Sequence, residues 1–440
     1  MNHAASIPQV PIEQGAASVP LERAYRKIFW RIVPFLMICY AISYLDRVNI
    51  GFAKLQMSHA IGLSETVYGA GAGVFFLSYF LCELPSNLLL QRVGARRWIA
   101  RIMITWGLLS AACVFVTGAK SFLLVRFLLG AAEAGFYPGI LLYLTTWFPA
   151  HRRASIVALF MSAIPLAGIF GNPLSGWIVE HFTGRAQLAG WQWMFLIEAL
   201  PAVLGGVAVL LFLNDTIQSA TWLDDEAKLM LAQDLEEDAQ AAGNGPHSLA
   251  AVLRDSRTWL LSGIYFTIVM GQYGLTFWMP TLMHTAGVRG SLRLGLLSAV
   301  PFLCAILAMN ICARSADRRQ ERRWHTIVPT LVGVAGFAAT PLVHGVPHTL
   351  LTLSIAAAGV LTSTPLFWSL PTAFLSGRAA AGGIAIINSF GNLAGFVSPV
   401  AVGVIRDRTH QNGYAMYLLS AVLLLGAVGV QRIPKKLVNR

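Results

Sequence analysis

Charge is scarce in this chain. Only 12% of its 440 residues are Asp, Glu, Lys or Arg, whereas 56% carry hydrophobic side chains, and the mean hydropathy is +0.63. Soluble domains carry about 25% charged residues, so this composition excludes a large soluble enzyme. The apolar excess equally excludes a disordered chain. Because a bilayer-spanning helix needs about 20 mostly apolar residues, we predict an all-α membrane protein with twelve transmembrane helices.

Cysteine and membrane-depth histidine are also scarce. The five cysteines fall inside apolar runs without any Cys-x-x-Cys pair, which favours small buried side chains over disulfides or a metal site. All ten histidines lie in tails, loops or span ends, which argues against a histidine proton relay. No motif pairs a nucleophile with a base, so we expect neither an enzyme nor a cofactor; if a proton is coupled, a carboxyl must carry it.

The net charge of +12 comes from basic residues that do not cluster with aromatic ones, which argues against a nucleic-acid partner. With the amino terminus placed in the cytoplasm, 23 of the 32 basic residues fall on the cytoplasmic side. Seven, among them Lys54, fall on the opposite side. Since cytoplasmic loops of membrane proteins are enriched in Lys and Arg, both termini are predicted to be cytoplasmic.

The chain divides into two halves. Residues 214–257 hold nine acids and three bases, which indicates a cytoplasmic linker. Basic loops follow spans 2 and 8 at equivalent positions, so the halves are predicted to be pseudo-symmetric six-helix bundles with a substrate site between them at the membrane midplane. The predicted order is a cytoplasmic tail (1–30), a bundle (31–213), the linker (214–257), a second bundle (258–431) and a tail (432–440).

Four ionisable residues fall in the middle parts of spans 1 and 4, whereas the middle parts of spans 7 to 12 hold none. They are Asp46, Arg47, Arg126 and Glu133. Charge at membrane depth is costly, and each such residue is a functional candidate. Arg126 and Glu133 are seven residues apart and share a helix face. The arginines are predicted to engage an anion and the carboxyls to carry a proton; the alternative is that all four only lock helices together.

Uncharged polar residues complete the predicted site. The substrate candidates are Tyr44, Tyr79, Gln272, Tyr273, Trp368, Ser369, Asn388 and Asn392. For each alone, hydrogen bonding between helices is as good an explanation as ligand contact. Glu83, near the cytoplasmic end of span 2, is assigned a structural or gating role. Glu180 and Glu198 lie near outer span ends and are expected to face interfacial water.

Four stretches resemble the major facilitator superfamily, in its anion:cation symporter branch of tartrate, sugar-acid and aromatic-acid permeases. They read YLDRVNIGFA at 44–53, ELPSN at 83–87, RFLLGAAEAGFYPG at 126–139 and INSFGN at 387–392. The resemblance implies proton-driven uptake across a bacterial inner membrane by rocking of the two halves. It also implies that Arg47 and Arg126 attract the anion, while Asp46 and Glu133 carry the coupling.

The chain departs from the family pattern in two places. Asn87 and Gln91 replace a usual Gly and Asp in the loop after span 2, so the gate there reduces to Arg92, Arg96 and Arg97, with Glu83 as a substitute acid. Ile164 stands where sugar-acid members often have Gln.

The leading prediction is a monomeric, proton-coupled symporter that imports a tartrate-like dicarboxylate or a hydroxy or sugar acid. An aromatic carboxylate:proton symporter is the alternative, and a transporter-like sensor is a more remote one. The expected partners are therefore a small carboxylate and the lipid bilayer.

Overall fold

The computed structural model describes residues 18–241, 254–319, 321–371 and 377–435. Within these ranges the regular structure is entirely helical, and twelve segments are long and apolar enough to cross a membrane. The predicted all-α fold of twelve spans is therefore confirmed. Residues 242–253 of the predicted linker and the predicted tails outside 18–435 lie beyond the described residues.

The first half and the start of the linker comprise ten helices. They are α1 (Ser18–Val48), α2 (Ile50–Ala60), α3 (Glu65–Val93), α4 (Ala95–Ala111), α5 (Ala119–Glu133), α6 (Phe136–Thr145), α7 (Ala150–Met161), α8 (Ala163–Phe182), α9 (Gly190–Phe212) and α10 (Asp225–Ala241). Span 1 is α1 with α2, span 4 is α5 with α6, span 5 is α7 with α8, and α10 belongs to the linker.

The described residues of the second half form seven α-helices. They are α11 (Ser256–Thr285), α12 (Ser291–Arg319), α13 (Arg323–Ala339), α14 (Val346–Trp368), α15 (Gly377–Asn392), α16 (Ala394–Thr409) and α17 (Gly413–Gln431). Helices α15 and α16 together form span 11. Span 1 begins and span 12 ends at the same membrane face, which we call the tail side; the opposite face is the far side.

Among the described residues four spans are interrupted, at Asn49, at 134–135, at Ser162 and at Leu393. The interruption in span 4 is the sharpest because Gly135 adopts a left-handed conformation with φ of 84°. A β-carbon there would lie 2.4 Å from Ser86 Oγ, so the position requires glycine. Ser86 Oγ donates a 2.6 Å hydrogen bond to the Ala134 carbonyl, which satisfies a backbone group freed by the break.

The two halves meet most closely toward the far side. A β-carbon at Gly69 on span 2 would lie 2.2 Å from the carbonyl oxygen of Pro399 on span 11, and one at Gly176 on span 5 would lie 2.3 Å from that of Ser291 on span 8. Small residues permit this backbone-to-backbone approach. Spans 2 and 11 and spans 5 and 8 thus close the far side of the molecule.

A charged cluster reinforces this closure. Lys54 Nζ lies 2.6 Å from Glu65 Oε2, and Arg406 Nε on the other half lies 3.3 Å from the same oxygen. Asp407 accepts hydrogen bonds from the backbone amides of Glu65 and Thr66 at 3.0 and 2.7 Å. Lys54, which was counted on the side opposite the cytoplasm, lies on α2 within span 1. It is 3% exposed, because its ammonium packs over the Trp278 ring, 4.1 Å from the ring centroid, and contacts the carboxylate of Glu65.

We expect Gly69→Ala to loosen the far-side closure, because its methyl group must displace the span 11 backbone. A Thr281→Cys reporter beside Lys54 should then react faster with a membrane-impermeant maleimide. Gly263→Ala is the matched control, since no atom lies within 4 Å of its β-carbon position. Equal labelling rates in the two variants would contradict the closure described here.

Candidate functional site

A cavity lies between the halves at the depth of the helix interruptions, with an empty volume of about 470 Å³ including its open side. Seven predicted substrate residues line it: Tyr44, Arg47, Tyr79, Gln272, Tyr273, Asn388 and Asn392. Each interruption has a lining residue within two positions, namely Arg47, Tyr137, Met161 and Asn392. The interruptions therefore place side chains from both halves around one space.

Tyrosine dominates the cavity wall. The lining includes Tyr40, Tyr44, Tyr79, Tyr137, Tyr265 and Tyr273, together with Thr364, Met161, Ile164 and Val269. Tyr40, Tyr137 and Tyr265 were not among the predicted site residues. The spacing of Tyr40, Tyr44 and Arg47 by four and three residues puts them on one helix face, and that signal could have identified Tyr40. No comparable signal marks Tyr137, which follows the break in span 4.

The central ion pair joins spans 1 and 4. Arg47 Nε lies 2.7 Å from Glu133 Oε1, and Ser43 Oγ donates to the same oxygen at 2.6 Å. Helical spacing suggested that Glu133 would pair with Arg126, but the structure pairs it with Arg47 instead. Glu133 is the last residue of α5, and its side chain reaches across to α1 rather than back along its own helix. Both partners are buried, at 6% and 1% exposure.

Arg126 lies deeper than Arg47. It is fully buried, its Nε donates to the Gly71 carbonyl at 3.2 Å, and its Cζ lies 4.9 Å from the centroid of the Phe75 ring. Its two terminal nitrogens have no hydrogen-bond partner among the described residues. Both arginines were predicted to face the cavity; in this conformation Arg47 lines it and Arg126 does not.

Gln272 connects the halves across the cavity. Its Nε2 donates to the Tyr44 hydroxyl at 3.3 Å, and its Oε1 accepts from Thr364 Oγ1 at 3.2 Å. Trp368 and Ser369, also predicted as substrate residues, are not among the lining residues. The Trp368 ring packs edge-on against Tyr265 with centroids 4.9 Å apart, and Ser369 caps α14 by donating to the Leu366 carbonyl.

Asp46 lies in a second cluster of buried polar side chains. Asp46 is 3% exposed and accepts from Trp106 Nε1 at 2.5 Å, Ser110 Oγ at 2.6 Å and Asn49 Nδ2 at 3.2 Å. The same Asn49 nitrogen donates to Glu198 Oε2 at 3.0 Å. The prediction that Glu198 faces interfacial water was wrong. It is 2% exposed because span 6 turns it into the first half, against Asn49 and Ser175.

The predicted gating residues separate into two environments. Glu83 is buried on span 2, at 8% exposure. Arg92, Arg96 and Arg97 are exposed. Arg96 donates through Nε to the Leu210 carbonyl at 2.7 Å and through its amide to Asp215 Oδ1 at 2.8 Å, so these contacts join the loop after span 2 to the end of span 6 and the start of the linker. Asp215 was not predicted as a residue of this region.

Comparison with known proteins agrees with this architecture. The model of the Major Facilitator Superfamily matches residues 36–399. The chain belongs to this superfamily. It is therefore a transporter rather than an enzyme, a multi-pass bacterial membrane protein with a small-molecule substrate.

The superfamily member is similar to several named proteins. It is 47% identical to "Putative metabolite transport protein NicT" of Pseudomonas putida, over 94% of this chain and 95% of that one. It is 48% identical to a "Putative tartrate transporter" of Agrobacterium vitis, over 94% and 92%. The fold matches the xylose transporter XylE of Escherichia coli in a partially occluded inward open conformation, with a TM-score of 0.72, 15% identity and coverage of 92% and 98%.

The ion pair generates a stability prediction. Arg47→Met leaves Glu133 buried without its cation, which should lower the free energy of unfolding by about 3–5 kcal/mol. Adding Glu133→Gln should recover much of that loss, because no buried charge then remains at this place. Thermal unfolding of the purified single and double variants measures the coupling, with exposed Arg97→Met as the control. Strictly additive losses would show that the two side chains do not depend on one another.

Proposed function

We propose that this transporter imports a small organic anion together with protons, by alternating access across the bacterial inner membrane with its tail side in the cytoplasm. The favoured cargo is a tartrate-like dicarboxylate or a hydroxy or sugar acid. The observation that supports this function is the buried Arg47–Glu133 ion pair in the wall of a cavity between the halves.

The ion pair provides a physical basis for coupling. While Glu133 is ionised it occupies Arg47, and an incoming carboxylate must compete with it for the guanidinium. Protonation of Glu133 removes that competitor and leaves Arg47 available for bidentate binding of a carboxylate. The proton and the anion therefore favour each other's binding, and by linkage the effect is reciprocal.

The other two charges have supporting roles in this proposal. Arg126 lies beside the Phe75 ring, which Arg47 also approaches, at 4.9 and 5.7 Å. With two unpartnered terminal nitrogens, Arg126 adds positive potential behind the cavity and can engage the substrate when the halves rock. Asp46 is the second proton-carrying carboxyl. Glu83, buried on span 2, keeps the gating role in this proposal.

Two features of the lining bear on the substrate. Gln272, Asn388 and Asn392 offer amides that suit a hydroxylated acid, and one relative carries the name of a tartrate transporter. The six tyrosines, with Ile164 and Val269, form flat and apolar walls that suit an aromatic carboxylate, which is the second candidate. A sensor that binds without transport would show saturable binding and no accumulation in proteoliposomes.

Coupling is tested with Glu133→Gln, which mimics the protonated carboxyl. We expect the variant to bind tartrate with little dependence on pH and to catalyse counterflow, but not to accumulate substrate under an imposed pH gradient. Exposed Glu180→Gln is the control and should accumulate normally. Normal pH-driven accumulation by Glu133→Gln would remove Glu133 from the coupling mechanism.

Substrate class is tested by ligand-dependent thermal shifts with tartrate, galactonate and benzoate. Asn392→Leu should weaken the binding of the hydroxylated acids more than that of benzoate, because it removes hydrogen bonds and keeps apolar volume. Tyr265→Leu should do the reverse if aromatic acids are the cargo. A response to none of the three acids would contradict the proposed substrate class.

A further inference from the structure

Asp46, Asn49 and Glu198 form a cluster of polar side chains behind the cavity. The coupling scheme above assigns this cluster no joint role. Asn49 lies at the interruption of span 1 and donates from Nδ2 both to Asp46 Oδ1, at 3.2 Å, and to Glu198 Oε2, at 3.0 Å. All three are at most 3% exposed. We propose that Asp46 and Glu198 share one proton through Asn49, and that this pair is a proton-binding unit separate from Glu133.

The hydrogen-bond donors around the pair are uncharged. Asp46 is contacted by Trp106, Ser110 and Asn49, and Glu198 by Ser175 and Asn49. No Lys or Arg forms an ion pair with either carboxyl in the described ranges. This environment differs from that of Glu133, which contacts the guanidinium of Arg47.

Other titratable groups act on the pair from a distance. Glu133 and Arg126 on span 4 lie near Asp46 and carry opposite charges. Cys113 lies near both Asp46 and Arg126. The charged group that faces Glu198 is Asp46. The repulsion between Asp46 and Glu198 is therefore not balanced by a contacting cation. Two carboxyls in one buried site relieve this repulsion by holding a single proton between them, as like charges at close range do not both ionise.

Asn49 has the hydrogen-bonding capacity that such sharing requires. Its amide has two N–H groups and one carbonyl oxygen. Asn49 Oδ1 is buried without a partner among the described residues. A protonated carboxyl has one O–H to donate, and a rotation of the Asn49 amide would direct Oδ1 toward it while Nδ2 stays on the ionised carboxyl. One shared proton thus satisfies the orphaned oxygen.

The location suggests why such a unit would matter. None of the three residues lines the cavity. Trp106, which donates to Asp46, packs against Phe136 with ring centroids 5.1 Å apart, and Phe136 is the first residue after the break in span 4. The pair of carboxyls therefore lies between the interruption of span 1 and that of span 4. A change in the charge of the pair would act on both interruptions.

Proton sharing is tested directly by infrared spectroscopy of the purified protein, without any substrate. The wild type should show a protonated carboxyl stretch that Glu198→Gln removes or shifts, whereas exposed Glu180→Gln should leave it unchanged. Asn49→Leu, which keeps both carboxyls, should change the pH dependence of this band and provides a second variant if Glu198→Gln fails to fold. A band and titration unaffected by both variants would overturn the shared proton.

The role in transport rests on the proposed symport and is tested separately. Reversal-potential measurements in proteoliposomes should give the double variant with Asp46→Asn and Glu198→Gln a proton-to-substrate ratio one lower than the wild type, with counterflow retained. An unchanged ratio in this double variant would show that the pair's proton is not transported. Absence of proton coupling in the wild type would instead refute the proposed function, and the infrared result would stand independently.

Discussion

Burial of the Arg47–Glu133 ion pair constrains much of the structure around it. Two charges taken out of water lose several kcal/mol of hydration each, and that loss is offset only where geometry and further hydrogen bonds are good. The 2.7 Å contact and the hydroxyl of Ser43 provide both. Spans 1 and 4 must therefore stay in register, and Glu133 must end α5 where it can reach α1.

The breaks in the helices follow from the same need. If span 4 were one continuous helix, the residues after Glu133 would follow the regular helical rotation. The left-handed conformation of Gly135 instead directs Tyr137 into the cavity. Freed backbone groups in a membrane must find partners, and Ser86 supplies one for Ala134. Polar side chains near these breaks thus support the interrupted backbone and also belong to the candidate site.

Several parts of the site could be predicted because their signals are local. Charges within apolar runs identified Asp46, Arg47, Arg126 and Glu133, and helical spacing placed Asn388 and Asn392 on one face. The pairing of these charges could not be predicted, because it depends on how spans approach one another. Glu198 shows the limit clearly: its position near a span end suggested interfacial water, yet span packing buries it beside Asn49.

The sequence by itself determined the class of protein. Scarce charge and twelve apolar runs specify an all-helical membrane protein, because hydrophobic length and the cost of buried charge are properties of each segment alone. The stretches that resemble the superfamily added the expectation of transport. Tertiary structure alone decided that Glu133 pairs with Arg47, that Arg126 stays behind Phe75, that six tyrosines line the cavity and that Asn49 joins two carboxyls. Apart from the Asn49–Asp46 hydrogen bond, these contacts join residues tens to hundreds of positions apart, so only the packing of the spans determines them.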